Sequence, residues 1–202
     1  MSDVHCPARI IVARHGQAEY ETPEMNAAGG SLTALGRAQA RELGERLRSE
    51  RVAAVICSEL SRAVQTAEIA ASVLGLAVRV RERLHEFPAG DHLGVPHDAV
   101  FYDGMLGSWL AGDLSVGVSG GETGRQTADR VLQVLDEVAD EFRGETVLVV
   151  SHGGVIHALW GAIAPGSADG PPANGVANAS AHVFERDADG WRLAAQLQRV
   201  AS

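Results

Sequence analysis

The sequence predicts an α/β protein with three layers (α/β/α) built on a mostly parallel central sheet. Short apolar runs of strand length alternate along the chain with amphipathic segments of helix length, which is typical of βαβ units. The strand-like runs are apolar at almost every position, as expected for strands that helices cover on both faces. With 202 residues, 46% of them apolar, the chain has the size of a single domain, residues 1–202.

The first half of the chain is divided clearly by its helix and turn signals. Residues 17–32 contain Pro23 and paired glycines, and this composition indicates a loop. Thr33 is a predicted N-cap, because an apolar ridge at Leu35, Gln39, Leu43 and Leu47 begins directly after it. The predicted elements are a strand at 8–13, a helix from Thr33 to about Ser49, a strand at Ala53–Cys57, a helix at Ser61–Leu74 ended by Gly75, and a strand at Val78–Val80.

The second half contains one long stretch of weak periodicity. Residues 87–121 are rich in glycine, and only Val100–Ala111 has the pattern of a short helix. A segment of this length and composition is the natural candidate for a cap inserted over the carboxyl edge of the sheet. After it we expect a helix at Glu122–Phe142, a strand at Glu145–Val150, a helix at Gly153–Ala164, a mobile segment at 165–175, and a terminal hairpin of Ala181–Arg186 and Trp191–Val200.

The charge and cysteine content exclude several classes of function. The net charge is −9, which argues against nucleic acid or an anionic membrane as a partner. All 17 basic residues are arginine, so lysine-based Schiff-base chemistry is excluded. Cys6 and Cys57 are too few for a disulfide framework, and no signal peptide or membrane span is predicted, so we expect a cytoplasmic protein. The terminal hairpin could present an exposed sheet edge, and a homodimer is therefore possible.

Two histidines follow two of the predicted strands. Arg14-His15-Gly16 ends the first strand, and Ser151-His152-Gly153-Gly154 ends the strand before the last helix. Ligands of open α/β sheets bind at the carboxyl ends of the strands, so we expect these histidines to meet there. An arginine beside an imidazole, facing a second imidazole at a helix N-terminus, indicates a site for an anion.

Two further charged residues are predicted at the same edge. Arg62 lies in the first turn of the helix that follows the second strand, and Glu86 follows the third strand. Arg62 could hold an anion, and Glu86 could donate a proton to a leaving group. Each feature taken alone has a more ordinary explanation, because single arginines and glutamates are mostly solvated surface residues.

In combination, the four motifs resemble the histidine phosphatase superfamily, also called the phosphoglycerate mutase-like family. They occur in the order Arg-His-Gly, Ser58 to Ala67 (Ser-x-Leu-x-Arg-Ala-x-Gln-Thr-Ala), Leu-x-Glu at 84–86, and Ser-His-Gly-Gly at 151–154. The resemblance implies that His15 is a nucleophile that becomes a phosphohistidine and that no metal or cofactor takes part. The implied site residues are Arg14, Arg62 and His152 as the phosphate pocket, Glu86 as the proton donor, and Gln17 and Gly153 as substrate-binding residues.

The chain departs from the family pattern at several positions. His92 replaces the usual tryptophan of the stretch that begins at Leu84, and Ala18 replaces a serine or threonine. Glu21 stands where the family has an asparagine near the phosphate, so we expect that loop to turn away or Asn26 to substitute. The additional histidines, at 85, 92, 97 and 157, are expected at cleft or surface positions without a catalytic role.

The composition of the predicted cap limits the substrate. Between Phe87 and Thr123 there is no arginine or lysine, whereas five acidic residues are present. A second phosphate would need cations there, so the cap favours a small phosphorylated metabolite with a neutral, apolar or cationic leaving group, and inorganic phosphate as product. Three alternatives stay open: a phosphoglycerate mutase, a protein phosphohistidine phosphatase, and a non-catalytic phosphate-binding module.

Overall fold

The computed structural model describes residues 6–19, 29–95, 99–172 and 175–194. It confirms the predicted α/β architecture: a six-stranded sheet in the order β3-β2-β4-β1-β5-β6, in which the first four strands are parallel and the last two antiparallel. The elements are β1 (Ala8–Arg14), α1 (Ala34–Arg46), β2 (Val52–Cys57), α2 (Ser61–Leu74), β3 (Val78–Val80), α3 (Ala99–Leu110), α4 (Gly124–Glu141), β4 (Thr146–Ser151), α5 (Gly153–Ile163), β5 (Ala181–Asp187) and β6 (Gly190–Leu193).

The core lies on both faces of the sheet because successive strand residues point to opposite sides. Along β1, Ile10 and Val12 join the apolar cluster that includes residues of α4 and α5. Ile11 and Ala13, the residues between and after them, join the cluster with residues of α1 and α2. All four side chains are fully buried, which explains why the strand is apolar at nearly every position.

The helices begin and end close to the predicted residues. Thr33 caps α1 through its side chain, and Thr123 forms a capping box with Gln126 at the start of α4. Gly75 ends α2 in the left-handed conformation, with φ of 71°. The predicted apolar ridge of α1 is wrong at Leu35, which is 53% exposed, because it lies in the first turn and not over the sheet.

The antiparallel edge of the sheet differs in extent from the expected hairpin. β5 pairs with β1 and with β6, and the turn lies at residues 187–190 as predicted. β6 ends at Leu193, where the sequence pattern favoured a strand to Val200. Residues 195–200 of that predicted strand, like residues 173 and 174 of the segment expected to be mobile, lie outside the described part of the chain.

The segment predicted as a cap contains real secondary structure. A short 3₁₀ helix spans Gly90–His92. The helix α3 begins and ends one residue earlier than predicted. A third apolar cluster centres on the fully buried Trp109, whose indole nitrogen donates to the Val116 carbonyl oxygen at 2.9 Å. None of the described helices is long and apolar enough to cross a membrane.

Candidate active site

The two histidines expected at the sheet edge are brought together. β1 and β4 are parallel neighbours, and Arg14 pairs in register with Ser151, so both chains leave the sheet side by side. The ring centroids of His15 and His152 are 5.2 Å apart. Both residues are buried, with exposures of 3% and 0%. The parallel pairing of β1 and β4 therefore brings two imidazole rings together in the buried interior.

His15 is held in one orientation and one protonation state. Its Nδ1 lies 2.7 Å from the Gly16 carbonyl oxygen, an acceptor, so Nδ1 carries the proton. Its Nε2 accepts a hydrogen bond from the Nε of Arg62 at 3.1 Å. Burial, with the positive charges of Arg62 and Arg14, lowers the pKa of His15 to about 3. The ring is therefore neutral, and the lone pair of its Nε2 is directed at the guanidinium of Arg62.

Arg62 is the buried cation of the site, as its place in the first turn of α2 predicted. Arg62 is only 6% exposed, and its Nη1 has no hydrogen-bond partner in the described ranges. Thr66 fixes the turn beneath it by donating to the Arg62 carbonyl oxygen at 2.7 Å and accepting from the Gly16 amide at 3.0 Å. A buried guanidinium nitrogen without a protein acceptor is a strong donor available to an anion.

Arg14 and the strand end beside it are anchored by residues that the sequence did not indicate. Arg14 donates through Nη1 to the Val176 carbonyl oxygen. The carbonyl oxygen of His15 accepts from the Asn178 side chain at 3.1 Å, and that of Arg14 accepts from the Ala179 amide at 3.1 Å. No motif marks this loop before β5, so only the fold reveals its role in holding the strand end.

His152 follows β4 and is the N-cap residue of α5. Its Nε2 lies 2.9 Å from the hydroxyl oxygen of Ser58, which is itself fully buried. Burial, followed by the charges of Arg62, His15, His85 and Arg14, lowers the pKa of His152 well below its usual range. His152 is thus a second neutral imidazole at neutral pH.

Glu86 is fixed at the N-terminus of α5. Its carboxylate accepts from the amides of Gly154 at 3.0 Å, Val155 at 3.2 Å and Phe87 at 3.1 Å. A Cβ at Gly154 would lie 2.2 Å from the Phe87 ring and 2.6 Å from a Glu86 carboxylate oxygen. Gly154 therefore permits the approach of Glu86, whereas a Cβ at Gly153 would meet the Arg14 side chain only at 3.6 Å.

Gln17 and the extra histidines occupy varied positions. Gln17 is exposed, and its amide oxygen accepts from Thr33 at 2.8 Å, so its predicted contact with substrate stays a prediction. His85 and His92 are partly buried, whereas His157 is fully buried with its ring nitrogens against the carbonyl oxygens of Gly153 and Pro172. The expected cleft or surface position of His157 is wrong, because it lies on the packed face of α5. Glu21, Asn26 and His97 lie outside the described residues.

The assembled site is suited to binding and transferring a phosphoryl group. A neutral imidazole nitrogen and a buried guanidinium converge at one edge of the sheet, beside the helix N-terminus whose first amides hold Glu86. Fixed positive charge of this kind stabilises the charge that develops on a transferring phosphoryl group. Within the described ranges, no three His, Cys, Asp or Glu side chains group as a metal site would require.

A family model described as "Histidine phosphatase superfamily (branch 1)" matches residues 10–198. The chain belongs to this superfamily. It is 31% identical to phosphoglycerate mutase-like protein 4 of Arabidopsis thaliana, over 92% of this chain and 83% of that relative. It is 32% identical to a metal-independent phosphoserine phosphatase of the same plant, over 95% and 84% of the two chains. These matches confirm the resemblance that the four motifs indicated.

The fold comparison agrees with this membership of the histidine phosphatase superfamily. The native structure of a mycobacterial glucosyl-3-phosphoglycerate phosphatase matches with a TM-score of 0.75 and 30% identity. The match covers 96% of this chain and all of the mycobacterial chain. The relatives thus differ in the substrates that their names carry, while the fold is shared.

Proposed function

We propose that this protein is a metal-independent phosphomonoesterase that hydrolyses a small phosphorylated metabolite through a phosphohistidine on His15. The observation that carries the proposal is the hydrogen bond from the Arg62 Nε to the His15 Nε2 at 3.1 Å. It places an uncharged nucleophilic nitrogen and a phosphate-binding cation at the same point. The names of the relatives, which include phosphatases of phosphoserine and of glucosyl-3-phosphoglycerate, support this reaction class.

In the first half-reaction, the Arg62 Nε–H moves from His15 Nε2 to a phosphoryl oxygen, and the freed lone pair of Nε2 attacks the phosphorus atom as the bond from phosphorus to the ester oxygen breaks. Arg62, Arg14 and His152 hold the phosphoryl oxygens while their charge develops. Glu86, as the proposed general acid, donates a proton to the departing alkoxide. The products of this step are the free alcohol, phosphohistidine and the Glu86 carboxylate.

In the second half-reaction, water takes the place of the alcohol. The Glu86 carboxylate accepts a proton from the water as its oxygen attacks the phosphorus atom, and the bond from phosphorus to His15 Nε2 breaks. This returns His15 to its neutral form, restores the proton on Glu86 and releases inorganic phosphate. Gln17 and Gly153 are proposed to contact the substrate, and residues 87–121 to cover it as a cap.

The composition of the cap argues against the alternative functions. A mutase must hold a substrate through two anionic positions, yet the sequence has no arginine or lysine between Phe87 and Thr123. A binding module needs neither the nucleophile His15 nor the acid Glu86. A lid over the pocket would hinder a protein substrate, which disfavours a protein phosphohistidine phosphatase. We also propose a cytoplasmic location, consistent with the two free cysteines, and a homodimer stays a prediction.

The first test is phosphate release from 4-nitrophenyl phosphate in the presence of EDTA, with the wild type beside His15→Ala. We expect phosphate release by the wild type only. We also expect the wild type to become labelled when the substrate carries ³²P, through a bond that acid cleaves. Calorimetry with inorganic phosphate checks that His15→Ala still binds the anion. Loss of the wild-type activity in EDTA, or full activity of His15→Ala, would overturn the proposal.

A further inference from the structure

Ser58 is placed beside His152 by the order of the strands. It follows β2, and β2 is the parallel neighbour of β4, the strand that His152 follows. The backbone amide of Ser58 bonds to the Val150 carbonyl oxygen at 3.0 Å, which fixes the position of its side chain. Its hydroxyl oxygen then lies 2.9 Å from His152 Nε2, and both residues have 0% exposure. The contact is therefore part of the dry interior of the site.

The surroundings of Ser58 decide where its hydroxyl proton goes. The hydroxyl oxygen already accepts from the Leu60 amide at 3.2 Å. The proton has two possible acceptors: His152 Nε2 at 2.9 Å and a carboxylate oxygen of Glu59 at 3.4 Å. The first distance is that of an ordinary hydrogen bond, whereas the second lies beyond the usual range. The distances favour donation by Ser58 to His152 Nε2 over the alternative, in which Nε2–H donates to Ser58 and Ser58 donates to Glu59.

A neutral imidazole that accepts at Nε2 must carry its proton at Nδ1. Nδ1 of His152 is buried and has no hydrogen-bond partner in the described part of the chain. An unsatisfied buried N–H group costs roughly 1–3 kcal/mol, and such a group in a native protein calls for a reason. The ring that carries it lies 5.2 Å from the ring of His15, where the transferring phosphoryl group must bind.

We propose that Ser58 is a positioning residue that fixes His152 as the Nδ1–H tautomer, so that Nδ1 donates a hydrogen bond to a phosphoryl oxygen. The inference rests on the proposed phosphatase function. In the other tautomer, Nδ1 would carry a lone pair and no proton. Nδ1 and the phosphoryl oxygen would then face each other as two acceptors, and no hydrogen bond would form between them. Ser58 would thus act without touching the substrate.

The decisive measurement is the tautomer of His152 in the wild-type protein, by long-range ¹H–¹⁵N correlation of the imidazole ring. The signal is assigned by its loss in His152→Asn. We expect Nε2, the nitrogen coupled to both carbon-bound protons, to be unprotonated, and Nδ1 to be protonated. A proton on Nε2 would overturn the inference. In Ser58→Ala we expect this preference to weaken, with a mixture of the two tautomers.

Substitutions at His152 test the same point through activity. An asparagine amide can place its N–H donor where Nδ1 lies, whereas a glutamine amide reaches the position of Nε2. We expect His152→Asn to retain about tenfold more kcat/KM than His152→Gln. Greater activity of His152→Gln would contradict the inference. Both variants are compared by circular dichroism, so that only folded proteins enter the comparison.

Substitutions at Ser58 separate positioning from folding. Ser58→Ala is expected to lower kcat/KM about tenfold and to weaken competitive inhibition by inorganic phosphate by a similar factor. Ser58→Cys, which keeps a weak donor of similar size, should recover part of both. Ser61→Ala is the matched control, because Ser61 is exposed and its hydroxyl accepts from Gln65 on its own helix. Unchanged phosphate inhibition in Ser58→Ala would overturn the role of Ser58.

The failure of the inference is distinguishable from failure of the proposed function. The NMR measurement and phosphate binding by calorimetry require no turnover. If the wild type released no phosphate, the proposed function would fall, and weaker phosphate binding by Ser58→Ala would still support the tautomer. Turnover by the wild type with a proton on His152 Nε2 would overturn the inference alone.

Discussion

The candidate phosphoryl pocket and the segment proposed as its cap, residues 87–121, differ in burial and in charge. In the pocket, His15, Arg62 and His152 are buried, and each is held by a hydrogen bond from or to a neighbour. In the segment, His92 and Phe101 are only partly buried, and their rings contact each other at a tilt of 56°, with centroids 4.8 Å apart. The pocket is cationic, whereas the segment contains no arginine or lysine.

This difference indicates a division of labour between chemistry and selection. Transfer of a phosphoryl group requires fixed charges in a dry site, because an environment already in place needs no reorganisation in the transition state. Recognition of the alcohol can instead rely on an aromatic surface that adapts to its shape. Glu86 and Phe87 form the junction, since consecutive residues contribute an acid to one region and a ring to the other.

The largest effect is expected from removing the buried cation of the pocket. Arg62→Ala deletes the donor to His15 Nε2 and the Nη1 that has no partner among the described residues, so kcat/KM should fall on the order of 10³-fold. Steady-state kinetics with 4-nitrophenyl phosphate measure the change. Arg62→Lys, which restores charge without the planar fork, should recover only part of it.

The control for Arg62 is Arg125→Ala, on the exposed face of α4. Arg125 lies 3.9 Å from Asp129 in a pair that is more than half exposed on both sides. Its loss removes the same charge from the protein and should leave kcat/KM within a factor of two. A loss of similar size in both variants would mean that total charge, and not the buried pocket, controls the rate.

The next effect tests the junction between the regions. Glu86→Gln keeps the shape of the side chain but removes the proton that an alkoxide needs, so hydrolysis of an alkyl phosphate should slow on the order of 10²-fold. Hydrolysis of 4-nitrophenyl phosphate should slow far less, because nitrophenolate leaves without a proton. The ratio of the two rate constants is the measurement, and equal slowing of both substrates would remove Glu86 from the acid role.

The sequence predicted that the candidate site residues lie together, because each of them lies at the end of a strand or the start of a helix. His15, Arg62, Glu86 and His152 each follow a strand or open a helix, and parallel topology brings such positions to one edge. The helix boundaries were predicted where the capping signals are local, as at Thr33 and Gly75. These features depend on short-range chemistry, which one sequence contains in full.

The parts that were missed depend on contacts between distant segments. Asn178 supports the His15 carbonyl oxygen from a loop 163 residues away along the chain, and no local pattern marks it. His157 has an ordinary helical position, and only the packing of α5 shows that it is buried. Ser58 could have been found, because it ends a strand beside β4, but its partner depends on the strand order.

A smaller effect concerns how the body of the protein buries its histidines. His182 accepts from the Trp160 indole at 3.1 Å, and burial, with a smaller effect of His157, lowers its pKa to about 4. Below pH 6.5 the unfolded chain binds a proton that the native ring does not, so stability falls as pH falls from 6.5 towards 4. His15, with its pKa lowered to about 3, contributes with the same sign.

His182→Asn removes this titration and keeps an acceptor for Trp160. The free energy of unfolding, measured by urea denaturation, should lose roughly 2 kcal/mol less between pH 7 and pH 5 in the variant than in the wild type. At pH 7 both native and unfolded rings are largely neutral, so the comparison starts there. Parallel losses in the two proteins would show that His182 does not contribute to the pH dependence.

The smallest effect tests whether the segment at residues 87–121 selects substrates by the charge of their leaving alcohol. Benzyl phosphate, 4-carboxybenzyl phosphate and 4-(aminomethyl)benzyl phosphate have leaving alcohols of similar acidity but different charge. Because the segment provides acidic residues and no cation, kcat/KM for the carboxylate should be about tenfold lower than for the other two. His92→Arg, which adds a cation beside Phe101, should narrow this gap.

The matched control is Ser72→Arg, which adds the same charge to the exposed face of α2, ten residues and about 15 Å of helix beyond Arg62. It should leave the order of the three substrates unchanged. If Ser72→Arg narrowed the gap as much as His92→Arg, the discrimination would come from the net charge of −9 and not from the segment. If the wild type hydrolysed the carboxylate substrate at an equal or higher rate, the cations of the pocket would control the preference for substrate charge. The contrast between pocket and segment would then not extend to substrate choice.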